Sequence, residues 1–193
     1  MNYIVPDREC GRCTACCKEL AILEDGLSKL PGVVCEHCTL GNGCEIYQTR
    51  PNVCRAYHCL WRSLPEMDDS WRPDRSGILI IPNDEAPPSG YQFAVNLILT
   101  GQPDVLQSDK FASMVAGFVE SRTAVYLDVP RGVGMFSQSS FLNNQLQPAI
   151  AARDLASVKA LIWSCYEAIL AKPAVALPPH MTPSANLASQ ATL

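Results

Sequence analysis

Nine of the ten cysteines in this 193-residue chain fall between Cys10 and Cys59, about a quarter of its length. They run as Cys10, Cys13, Cys16 and Cys17 (C-x-x-C-x-x-C-C), then Cys35, Cys38 and Cys44, then Cys54 and Cys59. A two-residue gap lets a tight turn aim two sulfurs at one point, as tetrahedral zinc and iron–sulfur centres both require. The spacing predicts a protein that binds metal through thiolates, with all nine cysteines as candidate ligands. Successive side chains diverge, so the adjacent pair Cys16-Cys17 is expected to divide its sulfurs between sites. Cys10, Cys13 and one member of that pair match the start of a ferredoxin-type run, whose fourth ligand would be Cys44, Cys54 or Cys59. The other member would turn toward Cys35 and Cys38. A 4Fe–4S cluster and structural zinc satisfy the same spacing, and nine thiols suffice for two four-coordinate sites.

Residues beside the cysteines have plainer alternatives. His37 and His58 can ligate or donate hydrogen bonds, but His37 lies between two cysteines and is expected to point outward. Arg50 and Arg55 either offset thiolate charge or are ordinary surface arginines. Trp61 is expected to shield the site. Cys165 lies on the apolar stripe of a helix pattern and reads as a core thiol. His180, in the tail, has no expected role. The remaining catalytic inventory is thin. Three histidines and no G-x-S-x-G pattern give no triad. Asp68-Asp69 and Asp84-Glu85 sit in loop patterns and read as solvated. Gly132-Val133-Gly134 lacks the third glycine of a dinucleotide fingerprint.

Composition narrows the setting. A net charge of −4 gives no electrostatic footprint for nucleic acid or anionic lipid. The start, Met1 to Arg8, has no apolar h-region, and runs such as Ile78-Leu79-Ile80-Ile81 are too short to cross a bilayer. A cytosolic protein is expected, with a protein partner open and neither membrane nor nucleic acid involved. In a reducing compartment, clustered cysteines indicate metal or redox chemistry rather than disulfides. The odd count within the cluster and the adjacent pair point the same way.

The elements that position these residues follow from periodicity and breakers. Cys10 to Cys17 reads as a turn entering a helix; residues 18–23 could extend that helix or form an edge strand. Residues 27–34, broken by Pro31-Gly32, read as a loop, and Cys35-Glu36-His37-Cys38 as a metal knuckle. Pro51 opens a short helix to about Tyr57 that carries Cys54, with Cys59 just beyond, in or near the same site. Residues 71–77 read as a loop. Strands are expected over 78–81, 91–99 and 124–129, and a helix capped by Ser108 carries Phe111, Met114, Val115, Phe118 and Val119 at one-sided spacing. The stretch 141–147 is unassigned, and one long helix is expected over about 148–172. The fold class is α+β: a cysteine-rich, metal-stapled module (1–64) packed on a small α/β sandwich with a short mixed or antiparallel sheet (65–172). A Pro/Ala-rich flexible tail (173–193) follows.

Cys10-Gly11-Arg12-Cys13-Thr14-Ala15-Cys16-Cys17, followed by Cys44-Glu45-Ile46-Tyr47-Gln48-Thr49-Arg50-Pro51-Asn52-Val53-Cys54-Arg55-Ala56-Tyr57-His58-Cys59, resembles the YkgJ-type cysteine-cluster family, described as a zinc- or iron-chelating domain. The resemblance covers residues 10–61. It implies Cys10, Cys13, Cys16, Cys17, Cys35, Cys44, Cys54 and Cys59 as metal ligands, with Cys38 at a position that is often apolar and Ala15 in place of a common glycine. That family also includes flagellin lysine methylases, which use S-adenosylmethionine, but no methyl-donor loop follows Cys59 here. Three readings result: a metal-cluster protein with a redox, metal-handling or partner-support role; a protein-modifying enzyme of methyl-transfer type; and a structural zinc module that presents an interaction surface.

Overall fold

A computed structural model describes residues 4–24, 27–83 and 85–178. The chain divides into two compact units: a cysteine unit of Cys10–Tyr57, Arg131–Phe136 and Ala174–Leu193, and a sheet unit of Met1–Glu9, His58–Pro130 and Ser137–Pro173. Asp84, His180 and the tail beyond residue 178 lie outside the described residues.

The cysteine unit is built from very short elements. Helix α1 (Ala15–Glu19) is followed by a hairpin of β1 (Ile22–Glu24) and β2 (Leu27–Lys29). A second hairpin pairs β3 (Cys38–Thr39) with β4 (Gly43–Cys44), with Cys38 directly opposite Cys44. Helix α2 (Asn52–Ala56) follows, with Pro51 as its N-cap rather than its first residue. The strand at 27–29 corrects the loop expected there. Leu27 and Lys29 face inward while Ser28 faces out, the alternation of a half-buried strand. Among the described residues, the buried apolar cluster of this unit is small: Ile22, Leu27, Cys35 and Cys38. Late segments join it, since Phe136 N–H donates to Val175 O (2.9 Å) and Leu177 N–H to Gly134 O (2.8 Å). Residues 174–178 are therefore paired, not a free tail.

The sheet unit opens with α3 (Leu60–Ser63) and α4 (Pro73–Ser76). The latter, preceded by a 3-10 turn at Asp69–Trp71, replaces the loop expected over 71–77, because Pro73 starts the turn and Gly77 ends it in the left-handed region. A four-stranded sheet of β5 (Ile78–Pro82), β6 (Phe93–Leu99), β7 (Thr123–Val129) and β8 (Gln138–Phe141) then forms, in that spatial order. β5–β6 and β7–β8 are antiparallel; β6–β7 is parallel, joined through helix α5 (Asp109–Glu120). The α+β class is thus realised with a mixed sheet. Ser108 caps α5 by accepting from Phe111 N–H. Ile78, Ile80, Val95, Leu97, Val125, Leu127 and Val129 face Phe111, Val115, Leu146, Val158, Ile162 and Ile169 in one apolar core. Phe93, the first residue of β6 and in step with Val95 and Leu97, is nonetheless 67% exposed.

The long C-terminal helix is two helices, α6 (Asn143–Ala151) and α7 (Leu155–Leu170). Arg153 takes a positive φ of 54°, and Asp154 restarts the helix by accepting from Ser157 N–H at 3.0 Å. The Leu155-to-Ile169 stripe had concealed that cap. The opening arm is tied within this unit: Arg8 donates to the carbonyls of Trp61, Leu64, Pro65 and Met67.

Candidate metal centre

Four turns gather the sulfurs of the cysteine unit. The Cys10–Cys13 turn is closed by Cys13 N–H donating to Cys10 O (2.9 Å) and leads into α1, which carries Cys16 and Cys17. Cys35 N–H donates to Cys17 O (3.0 Å), docking the Cys35–Cys38 turn on that helix. Cys38 N–H returns to Cys35 O (2.9 Å), and the β3–β4 hairpin brings Cys44 back opposite Cys38. Gly43, at φ 104°, lets this hairpin lie directly against the carbonyl of Gly11, where any Cβ would collide. Helix α2 supplies Cys54.

Cys10, Cys13, Cys16, Cys17, Cys35, Cys44 and Cys54 line one cavity of about 110 Å³, walled otherwise by residues such as Leu20, Ile22, Leu27 and Val53. His37 and Arg50 also line it. Cys38 does not; it is buried behind and hydrogen-bonds the Cys17 side chain. Cys59 falls in the sheet unit, where it is the N-cap of α3 and packs on the apolar core. Trp61 belongs to that core as well, at 4% exposure, and His58 hydrogen-bonds Arg62 there (3.3 Å). Cys165 is 3% exposed and donates to Gln145 Oε1, so it is the core thiol its helical position implies.

Electrostatics couple the sulfurs. A hydrogen bond from Cys16, with help from Cys38 and the nearby Lys29, holds the Cys17 thiol down to about 6 against the effect of burial. Its partner Cys16 is pushed well above the usual thiol range by that same hydrogen bond and by burial. Burial pushes Cys38 up to about 12 and raises Cys44 and Cys54, while Arg50 pulls the latter two back. Arg50 is fixed by donating to Tyr47 O (2.6 Å) and Cys54 O (3.3 Å), with its guanidinium 3.9 Å from the Tyr47 ring centre. Arg55 instead donates to Arg50 O (2.9 Å). Lys29 was not among the residues expected from sequence. Its signal was a lysine at an inward position of an alternating triplet, hidden once residues 27–34 were read as a loop.

All ten cysteines are free thiols. The donor chemistry fits a thiolate-bound metal: seven soft ligands face one apolar-walled space several times the ~10–15 Å³ that one water needs. Among the described residues, no three His, Cys, Asp or Glu side chains stand together as a set able to hold a metal ion. Among the described residues no helix is long and apolar enough to cross a membrane. No family model matches the chain, and comparison with curated proteins and with solved structures finds no match.

Proposed function

We propose that this chain is a cytosolic metal protein of the YkgJ-type cysteine-cluster kind, holding an iron–sulfur centre through thiolates of Cys10, Cys13, Cys16, Cys17, Cys35, Cys44 and Cys54. The observation that carries this reading is the convergence of those seven cysteines on one cavity. Seven sulfurs on one cavity, against the four ligands that a single zinc ion takes, favour a polynuclear centre. Such a centre supplies one-electron transfer when bound. The chain's own part is to deliver soft ligands, exclude water with Leu20, Ile22, Leu27 and Val53, and offset thiolate charge with Arg50. A bound cation would draw the raised thiols of Cys16, Cys44 and Cys54 down to thiolates.

Anaerobic purification, a visible spectrum and elemental analysis test the proposal. Sulfur-to-iron charge transfer colours the protein, whereas d¹⁰ zinc is colourless. Iron with inorganic sulfide is the expected result. A colourless protein with stoichiometric zinc would overturn the polynuclear centre, and a protein that takes up neither metal would overturn the whole reading.

A further inference from the structure

We infer that the segment after α7, residues 174–177, is a strap that positions Cys35 in the cavity, so that a late stretch of the chain places one of the proposed metal's ligands. This rests on the thiolate–metal reading above for what Cys35 does, and on backbone contacts alone for how it is held. Cys35 is buried and lines the cavity, yet it sits within residues 30–37, where the chain forms neither strand nor helix. Two backbone bonds tie that stretch to α1: Gly32 N–H donates to Lys18 O (2.9 Å) and Cys35 N–H to Cys17 O (3.0 Å).

The same stretch meets a second neighbour. A Cβ placed on Gly32 would stand 3.5 Å from Val133 Cγ2, and one on Gly134 would stand 3.9 Å from Leu30 Cδ1. Residues 133–134 therefore lie in van der Waals contact with 30–32. They belong to a turn closed by Met135 N–H donating to Gly132 O (3.3 Å), and the strap holds that turn. Phe136 N–H donates to Val175 O (2.9 Å), Leu177 N–H donates to Gly134 O (2.8 Å), and Met135 stands opposite Ala176. These pairings share one antiparallel register, so 134–136 and 175–177 form a short two-stranded ribbon. Val133, Phe136 and Val175 are exposed, so burial of their side chains does not hold the ribbon. An isolated ribbon of this length is marginal in water. It and the 30–35 stretch hold each other, and Cys35 is the cavity residue that the contact fixes.

The test uses the full chain, purified anaerobically with whatever metal it holds. It is pulsed with N-ethylmaleimide, and modification of each cysteine is read by peptide mass spectrometry. Leu177→Pro deletes the N–H that bonds Gly134 O, whereas Leu177→Ala keeps it. Losing one backbone hydrogen bond should speed modification of Cys35 by about 2–10-fold relative to Cys54, which α2 carries, with Leu177→Ala at the wild-type ratio. Val133→Ala trims the contact with Gly32, leaves the ribbon's bonds in place and should move the ratio the same way. An unchanged ratio in a folded Leu177→Pro protein, or a Leu177→Ala protein that matches it, would overturn the inference. Should Leu177→Pro also lose hydrogen-exchange protection in β5 to β7, it is misfolded, and the Val133→Ala ratio decides instead. A wild type that holds no metal would overturn the proposed function and leave this ratio readable, so the two readings fail separately.

Discussion

Stripping the metal should unfold the cysteine unit and leave the sheet unit standing. Among the described residues, the buried apolar cluster of the cysteine unit is Ile22, Leu27 and the two cysteines Cys35 and Cys38. Burying Ile22 and Leu27 contributes about 1.5–3 kcal/mol each, or about 3–6 kcal/mol together. Structural zinc in small thiolate-ligated peptides contributes about 10–16 kcal/mol near neutral pH, the scale taken for the proposed centre. The centre is therefore the larger of the two, and its removal outweighs what the aliphatic pair retains. The sheet unit has no such dependence, since its core packs Ile, Leu and Val of the strands against apolar residues of α5, α6 and α7. Hydrogen exchange read by mass spectrometry, before and after anaerobic chelation, distinguishes the units in one experiment. Peptides from 10–57 should lose protection after chelation while those from β5 to β7 keep theirs. Equal protection of 10–57 in both states would refute the reasoning, because the short elements would then be holding themselves.

Gly43→Ala and Gly41→Ala form a matched pair: both glycines have positive φ, but only at Gly43 would a Cβ strike the Gly11 carbonyl. Gly43→Ala should lose most bound metal by elemental analysis and Gly41→Ala should keep it; equal retention would mean the hairpin contact does not matter. Leu127, fully buried, should cost about 2–5 kcal/mol as Leu127→Ala by denaturant unfolding of the sheet unit, without changing metal per folded molecule. Burial raises the carboxyl pKa of Asp128, partly opposed by hydrogen bonds from Ser139 and Asn96. A raised carboxyl binds its proton more tightly folded than unfolded, so its contribution to stability is greatest below the unfolded value of about 3.9 and falls as pH rises through the folded value. Asp128→Asn should therefore gain in Tm over the wild type as pH is raised from acid to neutral; a difference that stays flat with pH would contradict this.

Much of the sheet unit was legible because burial there follows simple periods. Val95, Leu97 and Leu99 alternate and form a strand; Phe111 and Val115 repeat at helical spacing behind the Ser108 cap. The division between α6 and α7 was not legible, because the apolar stripe of α7 is dense enough to mask Arg153 in the left-handed region and the Asp154 cap. The 3-10 and helical turns at 69–76 were missed for a related reason: they are too short for periodicity, and only Pro73 and Gly77 mark them. In the cysteine unit, spacing pointed to nine candidate ligands with Cys16 and Cys17 divided between two sites; seven of the nine line one cavity, and both members of that pair are among them, because the helix that carries them lies along its wall. Cys59 was different. Its sequence distance from Cys54 resembles a ligand gap, yet α2 ends at Ala56 and Cys59 caps α3, and the four residues between the two cysteines cannot reveal which core that next helix joins.

The cysteine unit is also not an N-terminal module in the simple sense. The chain passes between the two units repeatedly: after Glu9, after Tyr57, out and back around Arg131–Phe136, and again after Pro173. The late segments meet each other at the Met135–Ala176 bridge, and Val133 packs within ordinary contact distance of where a Gly32 side chain would begin. Closure of the cysteine unit thus waits on residues that follow β7 and α7 in sequence, and those contacts span more than a hundred residues from Gly32. Such long loops close slowly. The thiols of 10–57 are therefore expected to gather after the sheet unit's apolar core has formed, which pulsed hydrogen exchange during refolding would show as later protection of 10–57 and equal timing would contradict. On the proposed thiolate–metal reading, metal capture would be the step that completes the chain, because the cavity's cysteines come from very short elements.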